Sequence, residues 1–206
     1  MSRRNIIFVL AAAINFASVA ALASPFDGTW NSNCYSQSAQ GQTEYAKDQL
    51  TVSGTAMGVD SAIYSDSSCG QSAIATIHTG ETIALSPSTT GTAGVQNVDL
   101  QLTGLTLTFH DSTYIEYMNT ESFCGYSNWA VDQAQDVTGK SCGGQTMPSA
   151  GTQNYDIMGV GTDGNLYMGL VTTTLTGASP DKRPTALDTS IIYSKAARAL
   201  SAALLN

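Results

Sequence analysis

Residues 98–110, VDLQLTGLTLTFH, alternate between apolar and polar side chains on both sides of one glycine, and this pattern constrains the fold most. A two-residue period is typical of a β-strand that buries one face. Leu100 and Leu102 lie on one parity, whereas the apolar residues after Gly104 lie on the other. A strand changes the face it buries only through an extra residue or a turn. The sequence therefore predicts either a bulge at Gly104 that bends one long strand, or a tight connection there.

Sequence patterns typical of β-strands recur along the rest of the chain. Thr, Ser, Gly and Tyr are abundant, charged residues are sparse, and turn signals follow at the intervals of antiparallel sheets. The segments predicted as strands are Gly28–Tyr35, Tyr45–Ser53, Met57–Tyr64, Ser72–Thr79, Val95–Thr103, Leu105–His110, Tyr114–Asn119, Asn128–Asp132, Tyr155–Gly161, Asn165–Thr172 and Thr189–Tyr193. Strands in this number predict an all-β fold, either an antiparallel barrel or a sandwich.

The first 23 residues have the composition of a secretory signal peptide. Arg3 and Arg4 precede an apolar run over 6–14, and the tripeptide ALA at 21–23 has small residues where signal peptidase cleaves. The run is shorter than the roughly 20 residues of a membrane-spanning helix, so we expect cleavage rather than a retained anchor. The predicted organisation is a signal peptide over 1–23 and one domain over 24–206, secreted or periplasmic, with no integral membrane segment after signal removal.

The charge balance argues against nucleic acid as a partner. The full chain has a formal net charge of −8, and the leader carries two arginines and no acid, so the mature chain stands at −10. Such a charge repels phosphate backbones. Nucleic-acid binding also requires a concentrated basic patch, and Lys182-Arg183 is the only adjacent basic pair after the leader.

Four cysteines follow the leader, and an even number in an exported chain is typical of disulfides. Of the three connectivities we favour Cys34–Cys69 with Cys124–Cys142, because each closes a modest local loop and the loops do not interleave. A zinc site is the alternative, but it expects close Cys-x-x-Cys pairs or nearby histidines, which the sequence lacks. We expect no metal and no cofactor.

The stretch NYDIMGVGTDGNLYMGLV predicts a β-hairpin with a two-residue type I′ turn at Asp163-Gly164. Apolar residues occur on both of its faces, which is typical either of a barrel wall lining a cavity or of a central strand pair in a sandwich. In a barrel, the predicted register lets only one set point inward, either Tyr155 with Met168 or Met158 with Tyr167. The last segment, SKAARALSAALLN, has an apolar helical stripe and predicts a short C-terminal helix.

Gly28-x-Trp30 on the first predicted strand resembles the opening of the lipocalin family. In that family such a tryptophan closes the narrow end of an eight-stranded barrel, and a basic side chain from near the last strand covers its ring. The resemblance implies this structural role for Trp30, and Arg183, in DKRPTALDTSIIY, is the candidate for the covering cation. Such a contact is worth roughly 0.5–2 kcal/mol.

A closer resemblance covers residues 28–69. GTWNSNC and YSDSSC look like the Gly-x-Trp-x-Ser…Cys start and the Tyr-x-Asp-x-x-Cys segment of the adenomatosis-polyposis-coli-down-regulated family of Wnt antagonists. The resemblance implies a lipocalin-like β-barrel in which Cys34 and Cys69 are joined, with an apolar cavity suited to a lipid. Small exported bacterial proteins of unknown role share this opening and an ending similar to RPTALD, residues 183–188. Wnt binding is not implied.

Catalytic motifs are absent from the sequence. His78 and Glu81 have a His-x-x-Glu spacing, which on a strand places the two side chains on opposite faces. His110-Asp111 is interpreted as a solvated strand end, and no Gly-x-Ser-x-Gly elbow occurs. A pair of carboxylates that meets only in the fold stays open as a hydrolase alternative. We expect a protein that is not an enzyme.

The leading hypothesis is an exported, non-catalytic barrel that binds a small apolar or amphipathic molecule. Aromatic and thioether side chains accommodate varied apolar shapes, and the candidate ligand contacts are Trp129, Tyr155, Met158, Tyr167 and Met168. For Trp129, a core aromatic beside a disulfide is the alternative interpretation. The alternative function is an envelope or extracellular protein-interaction module with a packed barrel. A carrier requires a cavity of at least roughly 300 Å³, so the barrel interior discriminates between the two.

Overall fold

The computed structural model describes residues 24–39, 42–88 and 90–197. The predicted signal peptide, and residues 198–206 of the predicted C-terminal helix, lie outside the described residues. The strands in the described part are β1 (Gly28–Ser32), β2 (Tyr35–Ala39), β3 (Gln42–Ser53), β4 (Ala56–Tyr64), β5 (Ala75–Pro87), β6 (Val95–Phe109), β7 (Gln135–Asp136), β8 (Ser141–Cys142), β9 (Gln145–Thr146), β10 (Gln153–Val160), β11 (Leu166–Met168) and β12 (Tyr193–Lys195). One α-helix, α1 (Ser112–Thr120), and two short 3₁₀ helices (Phe123–Gly125 and Pro180–Lys182) accompany them. None of these helices is long and apolar enough to cross a membrane.

Eight of the strands close an antiparallel barrel. Hydrogen-bonded neighbours follow the order β1, β12, β11, β10, β6, β5, β4, β3, and β3 pairs again with β1. β2 lies beside β3, β7 pairs with the second half of β6, and β8 with β9 forms a separate two-stranded sheet. The predicted all-β antiparallel barrel is confirmed, and the closed ring excludes the sandwich alternative.

The long strand β6 contains a bulge beside Gly104. Gly80 pairs with Gly104 whereas Glu81 pairs with Leu102, so Thr103 is an extra residue on β6. Directly paired residues point to the same face of a sheet. The insertion therefore keeps the apolar residues before and after Gly104 on the inner face. The sequence left a bulge or a tight connection at Gly104 as alternatives, and the structure contains the bulge.

A first apolar core fills the end of the barrel at which β1 begins. Trp30 is 2% exposed, and its indole Nε1 donates a hydrogen bond of 2.8 Å to the carbonyl of Phe26. Other buried members of this core are Leu50, Val52, Met57, Ile83, Val98, Leu100, Met158, Leu166 and Tyr193. They come from strands all around the ring, so this core joins the barrel walls.

A second apolar core lies beyond the last pairing of β6 with β10, which joins Gln101 to Gln153. The inner side of the β5–β6 hairpin there packs against residues 110–150, a segment that we call the cap. Its buried members are Ala75, Leu105, Leu107, Phe109, Cys124, Trp129, Val137 and Cys142. The bulge in β6 therefore lets a single strand serve both cores.

The turn between β10 and β11 is one residue longer than predicted. Gly161 N donates to the carbonyl of Asn165 at 2.8 Å, so three residues rather than two lie between this closing pair. The Asp163 carboxylate accepts hydrogen bonds from the backbone and side-chain nitrogens of Asn165 at 3.1 and 2.8 Å. Gly164 has φ of +79°, the left-handed conformation that closes a three-residue hairpin loop. The predicted type I′ turn is wrong because these contacts stabilise the longer loop.

The predicted strand Tyr114–Asn119 is wrong, since these residues belong to α1. Asp111 caps the helix by accepting a hydrogen bond of 2.8 Å from Thr113 N. Ile115 and Met118 lie three residues apart and both pack on the second core. Here the helical spacing of two apolar residues outweighs the β-propensity of the segment. Asn128–Asp132 is not the predicted strand either, since residues 128–130 have no regular secondary structure and residues 131–132 form a turn.

Both predicted disulfides are confirmed. Cys34–Cys69 has a Cα–Cα distance of 5.8 Å and joins the start of β2 to the loop between β4 and β5. Cys124–Cys142 has a Cα–Cα distance of 4.2 Å and closes a loop within the cap.

Candidate functional site

The cation over the Trp30 ring is Lys195 rather than Arg183. The Nζ atom of Lys195 lies 4.8 Å from the ring centroid. Lys195 is the direct cross-strand partner of Trp30 between β1 and β12, so both side chains point to the same face. The prediction for Arg183 is wrong, because cross-strand pairing decides which side chain covers the indole.

Arg183 instead joins β6 to β10. Its guanidinium donates to the carbonyls of Val98 (2.9 Å) and Asp156 (2.6 Å) and forms an ion pair with the Asp99 carboxylate. It also lies 5.3 Å from the centroid of the Tyr155 ring. These contacts use three hydrogen bonds of the guanidinium and place it over the Tyr155 ring.

The β10–β11 register points Met158 and Met168 into the barrel together, because they pair directly. Met158 is 0% exposed within the first core, and Met168 is half-buried against that core. Tyr155 and Tyr167 take the opposite face, where the Tyr167 hydroxyl donates to the Asp163 carboxylate at 2.6 Å. The prediction that one tyrosine and one methionine point inward together is wrong, since the longer turn moves the register by one residue.

Trp129 lies in the second core, where it is 3% exposed. Its indole Nε1 donates to the carbonyl of Phe123 at 3.0 Å. Its ring packs edge-on against Phe109 and Tyr126, with centroid distances of 5.0 and 5.7 Å. The alternative interpretation, a core aromatic beside a disulfide, describes this position. The candidate ligand contacts therefore lie in three separate places rather than around one cavity.

Asp48 is a buried carboxylate on the inner face, 7% exposed. It accepts hydrogen bonds from the hydroxyls of Tyr35 (3.0 Å), Ser61 (2.7 Å) and Tyr193 (2.8 Å). Burial, together with the charge of Asp48 and the hydrogen bond to it, raises the pKa of Tyr35 and of Tyr193. Both phenols therefore stay protonated donors, and the network joins β2, β3, β4 and β12.

Two further carboxyls, Glu81 and Asp156, lie on the inner face. Burial raises the pKa of Glu81 to about 6, and the negative charge of Asp156 adds to this shift. Burial also raises the pKa of Asp156 to about 6. Hydrogen bonds from the backbone nitrogens of Ile157 (2.7 Å) and Gly169 (3.0 Å), and the charge of Arg183, lower this pKa, but burial has the larger effect. Both groups therefore change protonation near pH 6.

Two open cavities adjoin on the outer face of the barrel, and Asp60 lines both of them. The larger, about 410 Å³, crosses β1, β3, β4 and β5, and its lining includes Asn31, Lys47, Gln49, Tyr64 and Thr76. The smaller, about 280 Å³, is lined by Thr51, Gly58 and His78, among others. We call the two together the outer groove. Its lining is rich in amide, hydroxyl and charged groups, which suits polar recognition.

Each histidine pairs with an aspartate on this outer face. His78 Nδ1 lies 2.7 Å from Asp60 Oδ1, and the two side chains are about half exposed. His78 and Glu81 lie on opposite faces of β5, as their spacing predicts. The prediction that His110 is merely a solvated strand end is incomplete, because Asp132 Oδ1 lies 2.6 Å from its Nδ1.

Thr76 completes the second pair, since its Oγ1 lies 2.8 Å from His110 Nε2. Thr76 and His110 are 34 residues apart, and Asp132 follows His110 by 22 residues. No short motif joins positions so far apart, so sequence reasoning missed this grouping. The alternation of polar and apolar residues along β5 and β6 was the available signal, because it places Thr76 and His110 on the polar face of these strands.

No group of three or more His, Cys, Asp or Glu side chains in residues 24–39, 42–88 and 90–197 has an arrangement that could hold a metal ion. No protein-family model matches the chain, and a search of curated proteins finds no significant match.

Proposed function

We propose that this chain is an exported interaction module, a barrel with a packed interior that binds a protein partner at the outer groove. This is the function that the sequence left as the alternative to a carrier. One contrast carries the proposal: the apolar side chains of the inner face pack against one another in the first core, while open cavities lie on the outside of the wall.

The packing of the first core supports a filled barrel. Met158, Leu166 and Val98 are 0% exposed, and Trp30 and Leu50 are nearly so. Protein interiors of this kind are close-packed, so an apolar ligand would have to displace side chains that already contact one another. Burial of these groups stabilises the fold without any ligand.

The chemistry of the outer groove supports a protein partner. The amides of Asn31 and Gln49, the ammonium of Lys47 and the phenol of Tyr64 line the larger cavity. Protein interfaces are bordered by polar groups of this kind and form about one hydrogen bond per 100–200 Å². Gly58 lines the smaller cavity, where an added Cβ would make an ordinary van der Waals contact of 3.5 Å with the His78 ring.

We also propose that the barrel is lipocalin-like and that the protein works in the periplasm or outside the cell. Eight antiparallel strands in a closed ring, with a buried Trp30 on the first strand and Lys195 of the last strand over it, support the first assignment. The two disulfides support the second, since such bonds persist in oxidising compartments.

Site-specific photo-crosslinking in the source organism tests the interaction. A photoreactive amino acid replaces Gln49 in the outer groove or, as a control, Ser86, which is exposed and lies outside the groove. We expect one dominant cross-linked protein with the probe at position 49 and none with the probe at 86. Equal capture at both positions, or capture at neither, would contradict the proposal.

A further inference from the structure

Thr76, His110 and Asp132 form a chain of two hydrogen bonds on the outer wall of the barrel, 2.8 Å and 2.6 Å long. Thr76 lies on β5, His110 directly follows β6 at the start of the cap, and Asp132 lies further along the cap. Backbone hydrogen bonds fix two of them, because His110 N donates to the carbonyl of Ile74 and Asp132 N donates to that of Phe109, both at 2.8 Å. The grouping is therefore held by the sheet and by the cap together.

The chemistry of the three groups fixes the direction of both hydrogen bonds. An ionised carboxylate only accepts, so the Nδ1 atom of His110 carries the proton that faces Asp132. In a neutral imidazole the other nitrogen is then an acceptor, and the Thr76 hydroxyl must donate to it. A hydroxyl bonded to a base that a carboxylate orients is the arrangement of an activated nucleophile.

The Thr76 hydroxyl also has a place for a substrate beside it, because Thr76 lines the larger cavity of the outer groove. Lys47, Ala62 and Thr76 form one cross-strand row over β3, β4 and β5, and all three line this cavity. The small Ala62 side chain lies between the cation and the hydroxyl. The row therefore places the Lys47 ammonium, together with the nearby Asp60 carboxylate, in the cavity in which an oxyanion would form.

We propose that the outer groove hydrolyses carboxylic esters, with Thr76 as nucleophile and His110 as general base. Asp132 is a positioning residue that holds the imidazole in the required tautomer. The proposal goes beyond binding, since a groove that only binds a partner needs no such chain. It also departs from the expectation of a non-catalytic protein, because the sequence alone did not bring these three residues together.

In the first half-reaction, Thr76 Oγ1 attacks the ester carbonyl carbon while its proton passes to His110 Nε2. The carbon–oxygen bond to the alcohol breaks, and the alkoxide leaves with that proton, so an acyl ester of Thr76 remains. In the second half-reaction, water attacks the acyl carbon and gives a proton to Nε2. Thr76 Oγ1 leaves and takes this proton back, so one ester and one water become one alcohol and one carboxylic acid.

The test uses p-nitrophenyl acetate as the acyl donor and the mature, disulfide-bonded protein. We expect release of p-nitrophenolate together with transient addition of one acetyl group, which peptide mapping places on Thr76. Thr76→Val and His110→Gln should each lower the rate of acetylation about 10²–10⁴-fold. Thr76→Ser should retain the activity, because it keeps the hydroxyl.

Thr108→Val is the matched control, since Thr108 is the cross-strand partner of Thr76 on β6 and makes no contact with His110 among the described hydrogen bonds. Its rate should equal that of the unmodified protein. Asp132→Asn should lower the rate and move the midpoint of its pH profile to lower pH, because the imidazolium loses its carboxylate partner. A purely structural role for Asp132 would leave that midpoint unchanged.

Two results would overturn the proposal. The first is acetylation confined to lysines, with none on Thr76 in the unmodified protein. The second is a folded Thr76→Val protein that hydrolyses the ester at the unmodified rate. Because mapping on the unmodified protein needs no variant, the test remains decisive even where a substitution prevents folding. The assay is also independent of the protein partner, so its outcome is separate from that of the cross-linking experiment.

Discussion

The inner and outer faces of the barrel wall are built from the same strands, yet they carry different chemistry. On β5, for example, Ile83 lies in the first core, whereas Thr76 and His78 line the outer groove. The inner face is closed by packing and by the hydrogen bonds to Asp48. The outer face carries open cavities and both histidine–aspartate pairs.

The difference indicates a division between folding and function within one sheet. Alternation along a strand assigns successive residues to opposite faces, so stability and recognition can change independently. Inner-face substitutions should therefore cost stability, and outer-face substitutions should cost function alone. The predictions below test this division, beginning with the largest expected effect.

Replacing Trp30 by Ala should destabilise the protein by about 3–5 kcal/mol, because it leaves a cavity among side chains that are almost completely buried. Urea unfolding followed by circular dichroism measures the effect. Gln49→Ala on the outer face is the control and should stay within about 0.5 kcal/mol of the unmodified protein. Similar losses for the two variants would remove the distinction between the faces.

Removing the Cys34–Cys69 bond by a double substitution to Ala should lower the free energy of unfolding by about 2–4 kcal/mol. The bond closes a loop with a sequence separation of 35, so its loss frees the unfolded chain more than removal of Cys124–Cys142, with a separation of 18. Chemical unfolding of the two double variants provides the comparison. A larger loss for the cap disulfide would show that loop length does not govern the order.

Tyr193→Phe should cost about 1–3 kcal/mol, because it removes one donor to the buried carboxylate of Asp48. Tyr155→Phe is the matched control on the outer face, where the hydroxyl donates only to an exposed glutamine side chain at 3.3 Å. Thermal unfolding of both variants tests the difference. Equal stability of the two would mean that the Asp48 network contributes little.

Glu81→Gln should raise stability at pH 7.5 by about 1–2 kcal/mol and flatten its pH dependence. The folded-state pKa of Glu81 is raised from 4.5 to about 6, so the folded protein holds this proton more tightly than the unfolded chain. The contribution of Glu81 is therefore most favourable below about pH 4.5 and is lost as pH rises through about 6. Denaturant unfolding at a series of pH values should show the wild-type curve falling more steeply through about pH 6 than the curve of the variant, in which only Asp156 of the two carboxyls still titrates there.

The architecture was accessible from the sequence where local patterns determine it. Alternation and turn residues predict the strands, and the parity change at Gly104 indicates the bulge that the structure has. Cysteine spacing also identified both disulfides. The strands and the bulge depend on neighbours that are close in the chain, whereas the disulfide prediction used the even number of cysteines and the requirement that the two loops do not interleave.

Features that depend on distant pairing were not accessible. One extra loop residue near Asp163 places both methionines inward and both tyrosines outward. Only the strand order shows that Lys195 rather than Arg183 meets Trp30. The contact of His110 with Thr76 joins residues brought together by the β5–β6 pairing. The register between distant strands therefore determines which side chains meet at the site, whereas local sequence patterns determine where the strands form.

Native mass spectrometry of the protein purified from its own source tests the filled barrel most directly. A packed barrel predicts the mass of the polypeptide with two disulfides and no bound apolar molecule, under conditions that preserve the fold. A lipid-sized adduct that persists in repeated preparations and is lost on unfolding would contradict it, because the interior would then hold a ligand rather than its own side chains.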